Sequence, residues 1–192
     1  MKMVEVLLNS LYSYYTDEKK IKSFLDVIGE TNNKISLRII DWFVTNYSKK
    51  YNISYMIYRR NDGSYTFNNG GDNVFHKHFN TYQSYKSQLK SFSKKKFDPF
   101  CRRQRIDFEY KHNQKVETTV GQLNFFKWAI DNLIIEYILN NYLSIENDMN
   151  QSYNQIKKHK KKSNERKKRQ ELSKSATRGL NNTNIRVILD FD

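Results

Sequence analysis

Six cations fall within the thirteen residues 93–105 (SKKKFDPFCRRQR). Lys94, Lys95 and Lys96 precede a Phe-Asp-Pro-Phe turn, and Arg102, Arg103 and Arg105 follow it. The chemistry open to such a cluster is electrostatic capture of phosphate. A guanidinium offers a fork of donors that matches phosphate oxygens, and an ammonium acts as a point charge. A tight turn carrying two short basic arms would gather these charges at one place, so contact with a polyanion is expected rather than a merely solvated surface. Phe97 and Phe100 could stack on unpaired bases. The simpler expectation is that both are core anchors fixing the turn, with Asp98 capping or salt-bridging rather than catalysing. Lys86 and Lys90 lie just upstream, on the polar side of a helical pattern, and extend the same basic surface.

A second basic run covers residues 157–169 (KKHKKKSNERKKR). It holds Lys157, Lys158, Lys160, Lys161, Lys162, Arg166, Lys167, Lys168 and Arg169 against one glutamate. Three readings stay open for it: non-specific nucleic-acid contact driven by counterion release, a bipartite nuclear-import signal, or a solvated linker. Like charges repel and little apolar surface is available, so the run is expected to fray when unbound.

Other chemistries find less support. His76 and His78 would face the same way on a strand, but only Asp72 lies near as a third ligand, so ordinary loop histidines are expected. Cys101 beside Arg102 and Arg103 could have a lowered pKa. With no histidine placed to pair with it, a small buried thiol is the better reading. Phosphate-loop, dinucleotide-binding, kinase, zincin and serine-hydrolase patterns are absent. Asp41, Asp107, Glu109, Glu117 and Asp131 are scattered carboxylates from which a metal-dependent nuclease could be built. That is the least favoured option, and no cofactor is implied.

The charge map sharpens this. The 192 residues carry a formal charge of +14, distributed as +3 over residues 1–80, +7 over 81–115, −4 over 116–156 and +8 over 157–192. Such asymmetry points to a polyanionic partner. Lys, Asn, Ile and Tyr supply 76 residues. All four have AT-rich codons, so tyrosine and asparagine content is discounted as evidence of binding. One cysteine fits a reducing compartment. The N-terminus lacks a signal-peptide pattern, and the most apolar stretch, residues 121–143, is interrupted by Lys127, Asp131 and Glu136. Neither secretion nor a membrane partner is expected.

The elements that must position these residues read as α+β. Helical spacing covers residues 4–15, then Glu18–Ile28 capped by Thr16 or Asp17 and ended by Gly29, then 34–50. A strand at 51–58 turns through Asn61-Asp62-Gly63 to a return at 65–67, followed by a loop at 68–73. Helix resumes at 79–92 and is stopped by Pro99. Alternation at 105–110 and 115–120 makes a hairpin. Thr119-Val120-Gly121-Gln122 then matches a capping box opening a long central aromatic helix, 121–143. Residues 185–191 (IRVILDF) alternate like a strand returning to a sheet. The resulting organisation is a core domain at 1–150, a basic helical or flexible segment at 151–183, and a C-terminal strand at 184–192.

Residues 82–128, with YQSYKSQLKSFSKKKFDPFCRRQRIDFEY followed by TTVGQLNFFKWAIDN, resemble a conserved uncharacterised protein family of nucleocytoplasmic large DNA viruses, the mimivirus-like ones especially. The earlier LRIIDWFVTNYSKKYNI belongs to the same pattern, and FDPFCRR and GQLNFFKWAI are its most specific strings. The resemblance implies a viral protein made in the cytoplasm or nucleus of an infected cell, and it supplies no catalytic residues. The combined expectation is a non-enzymatic nucleic-acid-binding protein acting in genome packaging, transcription or replication, with the virion as a further location. The alternative is a virion scaffold or adaptor meeting an acidic viral protein partner. The sequence leaves the oligomeric state open.

Overall fold

The computed structural model describes residues 2–29 and 35–162. The chain divides into two units, residues 1–152 and 153–192. Of the second, the described part is the end of one helix. The expected strand at 184–192 and the cations Arg166, Lys167, Lys168 and Arg169 lie outside the described residues.

The fold is α+β, with helices at its N-terminus. Helix α1 (Lys2–Tyr15) buries Leu11 and Tyr15 completely. Asp17 caps α2 (Glu18–Ile28), its carboxylate accepting from the Lys19 and Lys20 amides, and the helix buries Ile21, Phe24 and Val27. Gly29 ends α2 as expected, although its backbone is extended rather than left-handed. Glycine is needed there because a Cβ would lie 2.9 Å from the Leu25 carbonyl oxygen.

The third helix starts later than its apolar spacing suggested. Ser36 Oγ accepts from the Ile39 amide and opens α3 (Leu37–Trp42). The helix then widens into a π-turn, Phe43–Tyr47, and closes with the single turn α4 (Ser48–Lys50).

Three antiparallel strands follow in the spatial order β2-β1-β3. They are β1 (Ser54–Arg59), β2 (Tyr65–Thr66) and β3 (Val74–Asn80). The Asn61-Asp62-Gly63 turn forms as expected, with Gly63 at φ +81. Strand β3 corrects the loop reading of His76 and His78. A bulge lies in the β1–β3 register between Ile57 and Tyr58, and it breaks the alternation that would have revealed the strand. Phe79, expected to begin a helix, is instead a buried strand residue. The helix α5 (Thr81–Lys96) begins two residues on, capped by the Asn80 carboxamide.

The second sheet is the expected hairpin, β4 (Ile106–Lys111) and β5 (Gln114–Thr118), closed at Asn113 with φ 61. The long helix expected over 121–143 is divided into α6 (Val120–Asp131), α7 (Ile134–Asn140) and the start of α8 (Tyr142–Lys162). Leu133 is left-handed, φ 55 and ψ 29, and separates the first two. Asn132 holds the break: its Nδ2 donates to the Trp128 carbonyl at 2.6 Å, and its own carbonyl accepts from Tyr55 Oη at 2.7 Å. Apolar residues on more than one side of the run reflect this change of direction. The core helix is α6, in which Leu123, Phe125, Phe126 and Ala129 are fully buried against α1, α2 and α5. Among the described residues no helix is long and apolar enough to cross a membrane.

Candidate functional site

The basic turn is attached to the core by its backbone. Phe97 is fully buried, with ring centroids 5.2 Å from Phe125, 5.4 Å from Trp128 and 6.0 Å from Tyr85. Its role as a core anchor is therefore as expected, whereas Phe100 is half-buried. The first turn of α6 supplies the clamp. Asn124 Nδ2 donates to the Lys96 carbonyl at 2.9 Å, Gln122 Nε2 donates to the Pro99 carbonyl at 2.9 Å, and the Asp98 amide donates to the Gly121 carbonyl at 3.2 Å. A Cβ on Gly121 would lie 3.3 Å from the Lys95 carbonyl oxygen, so glycine permits this close approach. Thr119 caps α6 through the Gln122 amide at 3.0 Å. The Gln122 side chain does not return to the cap. Its Oε1 accepts from Thr118 Oγ1, which leaves the amide group for Pro99. The sequence marked Gln122 as part of a helix start but gave no sign that it, Gly121 and Asn124 brace the turn.

Asp98 is a positioning residue for the arginine arm. Its buried carboxylate accepts from the Phe100 amide at 3.2 Å and takes the Arg102 fork, Nε at 3.1 Å and Nη2 at 2.9 Å. The Arg102 guanidinium also lies 4.5 Å from the Phe100 ring centroid, a cation–π contact. The hydrogen bonds to Asp98 raise the Arg102 pKa above its ordinary value. Close by, burial raises Asp41, with Arg102 and Lys94 opposing the rise, and burial together with the charges of Asp41 and Asp98 pushes Tyr85 up to about 12. This junction of α3, α5 and the turn is locked, and Arg102 is largely committed to it.

The remaining cations differ in how free they are. Arg105 pairs with Glu117 across the hairpin at 2.5 Å, with both side chains more than half exposed. Such a pair is worth about 0–1 kcal/mol, and an incoming phosphate could displace it. Lys86, Lys90, Lys94, Lys95 and Arg103 are exposed, Lys96 is half-buried, and none of the six makes a salt bridge among the described residues. Lys86 and Lys90 are one helical turn apart on α5. Lys157, Lys158, Lys160, Lys161 and Lys162 are helical, in the last turns of α8.

Ser93 redirects the lysines that follow it. Its backbone, φ 56 and ψ 167, lies in a region that glycine alone adopts easily, and its Oγ accepts from the Lys95 amide at only 3.4 Å. Such conformations cost about 1–3 kcal/mol in a non-glycine residue. Ser93→Gly is therefore expected to raise the melting temperature, after allowance for glycine's larger unfolded-state entropy, and Ser93→Val to lower it; thermal unfolding of the three proteins checks the order.

The same geometry places the residues of the alternative chemistries. Cys101 is half-buried rather than the fully buried thiol expected, and that burial raises its thiol above the ordinary value against the opposing charge of Arg105, the reverse of activation. His76 rests on the Tyr65 ring at 4.8 Å. Among the described residues no three His, Cys, Asp or Glu side chains gather closely enough to hold a metal ion. Of the scattered carboxylates, Asp107 pairs with Lys115, Glu117 with Arg105, and Asp131 with Lys127 and the Tyr14 hydroxyl.

Comparison with known proteins agrees with the viral resemblance. The chain is 38% identical over 180 residues to "Uncharacterized protein L507" of Acanthamoeba polyphaga mimivirus, an alignment covering 91% of this chain and 62% of that protein. The chain thus spans less than two thirds of that relative's length. No solved structure matches. Residues 1–166 match a family model, and the chain belongs to the family of unknown function DUF7197.

Proposed function

We propose that this protein binds nucleic acid without catalysing a reaction on it, as an accessory to genome packaging, transcription or replication in cells infected by a mimivirus-like virus. One observation carries the reading. Five exposed cations, Lys86, Lys90, Lys94, Lys95 and Arg103, make no salt bridge among the described residues, while the turn between them is clamped to the core. A clamped turn presents its charges without the entropic cost of ordering a loop on binding. Arg105 and the helical lysines at 157–162 would add displaceable and non-specific contacts.

The test is a titration of duplex DNA at several salt concentrations. Each phosphate neutralised contributes about −0.9 to the slope of log affinity against log salt. A Lys94→Gln, Lys95→Gln, Arg103→Gln variant should therefore lose about 2.7 from the magnitude of that slope, with an unchanged melting temperature. A salt response that is flat in the wild-type protein overturns the reading.

A further inference from the structure

The three-stranded sheet turns apolar and aromatic side chains toward solvent in a chain otherwise rich in charge. Met56 is 52% exposed and Phe75 57%. Paired residues of adjacent strands share a face, so Met56 with His78 and Tyr58 with Phe75 form one outer surface. The bulge creates it. Regular pleating after the Ile57–Lys77 pair would set His76 opposite Tyr58 and turn Phe75 to the inner side. The extra residue instead brings Phe75 beside Tyr58, their ring centroids 6.1 Å apart and nearly perpendicular. An aromatic ring moved from core to solvent by a backbone irregularity calls for a function.

Two grooves flank these rings. One, about 500 Å³ and within the range of small-ligand sites, is lined by Met56, Tyr58, Phe67 and Tyr137 with the carboxamides of Asn140 and Asn141. The other is lined by Arg59, Arg60, Val74, Phe75 and His76. Neither has a carboxylate among its lining residues, whereas three other grooves formed by described residues contain Asp131, Asp26 and Glu109 respectively among their walls. Rings, carboxamides and arginines without acids are complementary to bases joined by phosphates.

We infer that the outer face of the β2-β1-β3 sheet binds single-stranded nucleic acid, stacking unpaired bases on Tyr58 and Phe75, with Arg60 toward the backbone and Asn140 and Asn141 toward base edges. Duplex DNA cannot use this surface, because its ring faces are stacked and its pairing edges are occupied. The inference rests on the reading that the partner is nucleic acid, and it adds a surface distinct from the basic turn.

The experiment compares labelled oligothymidine with a duplex of mixed sequence, by fluorescence anisotropy on the full chain. Tyr58→Ala with Phe75→Ala should weaken single-strand binding by about fivefold to a hundredfold per ring removed, leaving duplex binding and its salt slope unchanged. Tyr58→Phe with Phe75→Trp should retain wild-type affinity, and Tyr58→Leu with Phe75→Leu should not, since bulk without a ring cannot stack. Single-strand affinity unaffected by the alanine pair overturns the inference while leaving the basic turn as the binding site. Full affinity in the leucine pair overturns it also. So does self-association in sedimentation that the alanine pair abolishes with oligonucleotide binding intact, because the face then belongs to a second copy. A wild-type protein that binds neither probe removes both this inference and the proposed function.

Discussion

Replacing Phe97 with alanine is expected to destabilise the protein by about 3–5 kcal/mol, the range for truncating a fully buried phenylalanine. The ring has no exposed edge at which the cavity could fill with water, and its neighbours Phe125, Trp128 and Tyr85 are held by their own contacts. Relaxation would therefore be partial, which places the cost toward the upper end. A loss of this size is a large fraction of the roughly 5–15 kcal/mol that keeps a domain folded. Urea unfolding followed by far-ultraviolet circular dichroism measures it. Phe97→Leu fills much of the same volume and should recover most of the loss. Phe97 and Asp98 are consecutive, so the alanine variant should also disperse the cations of the turn and weaken duplex binding at temperatures where the protein is still folded. A variant that melts like the wild type would show that the turn is not seated in the core.

The second large effect is expected at Asp148, where α8 meets the end of α3 and the α4 turn. Its buried carboxylate accepts from Trp42 Nε1 and Tyr51 Oη, each at 3.0 Å, and from the Lys50 ammonium. Burial alone would raise its pKa, but the bonds from Lys50, Trp42 and Tyr51 together outweigh that and hold it below the usual carboxylate range. Asp148→Ala is expected to cost about 2–3 kcal/mol, below the range for stranding a buried charge, because the Lys50 side chain is 56% exposed and returns to water. A depressed folded-state pKa fixes the sign of the pH dependence. The stabilisation is complete above the unfolded value of about 3.9 and disappears as pH falls through the lower folded value. The stability gap between wild type and Asp148→Asn should thus be constant from neutral pH to about 5 and close below 4. Denaturant melts across that span test it, and a gap that widens in acid would reverse the assignment.

What the sequence made legible was local. Asp17, the Asn61-Asp62-Gly63 turn and Thr119 each act within a few residues of themselves, and each occupies the position its side chain suited. Helix α2 could be read to the residue because its cap and its terminating glycine both lie in the chain beside it. The break at Leu133 could not, since leucine has no preference for left-handed backbone. It accompanies a contact far off in the chain, the bond from Tyr55, 77 residues before Asn132, to the Asn132 carbonyl. Strand β3 was hidden for a related reason, because the bulge destroys the two-residue period. At the basic turn the charges were visible, but their inequality was not. Nothing in the string CRRQR distinguishes Arg102, forked onto a buried carboxylate, from Arg103, which projects free of any described acid.

The position of Trp128 gives this fold an optical handle. Its indole donates to Ser84 Oγ at 2.9 Å and touches Phe97 of the basic turn on one side and Phe79 of strand β3 on the other. The chain has one other tryptophan, Trp42. Exchanging Trp42 for phenylalanine removes its hydrogen bond to the Asp148 carboxylate, about 1.5–3 kcal/mol for a bond to a charged group, and leaves one tryptophan whose emission wavelength and quenching report on both neighbours. Any event that loosens the turn or shifts the strand becomes visible in the intrinsic light of the unlabelled protein.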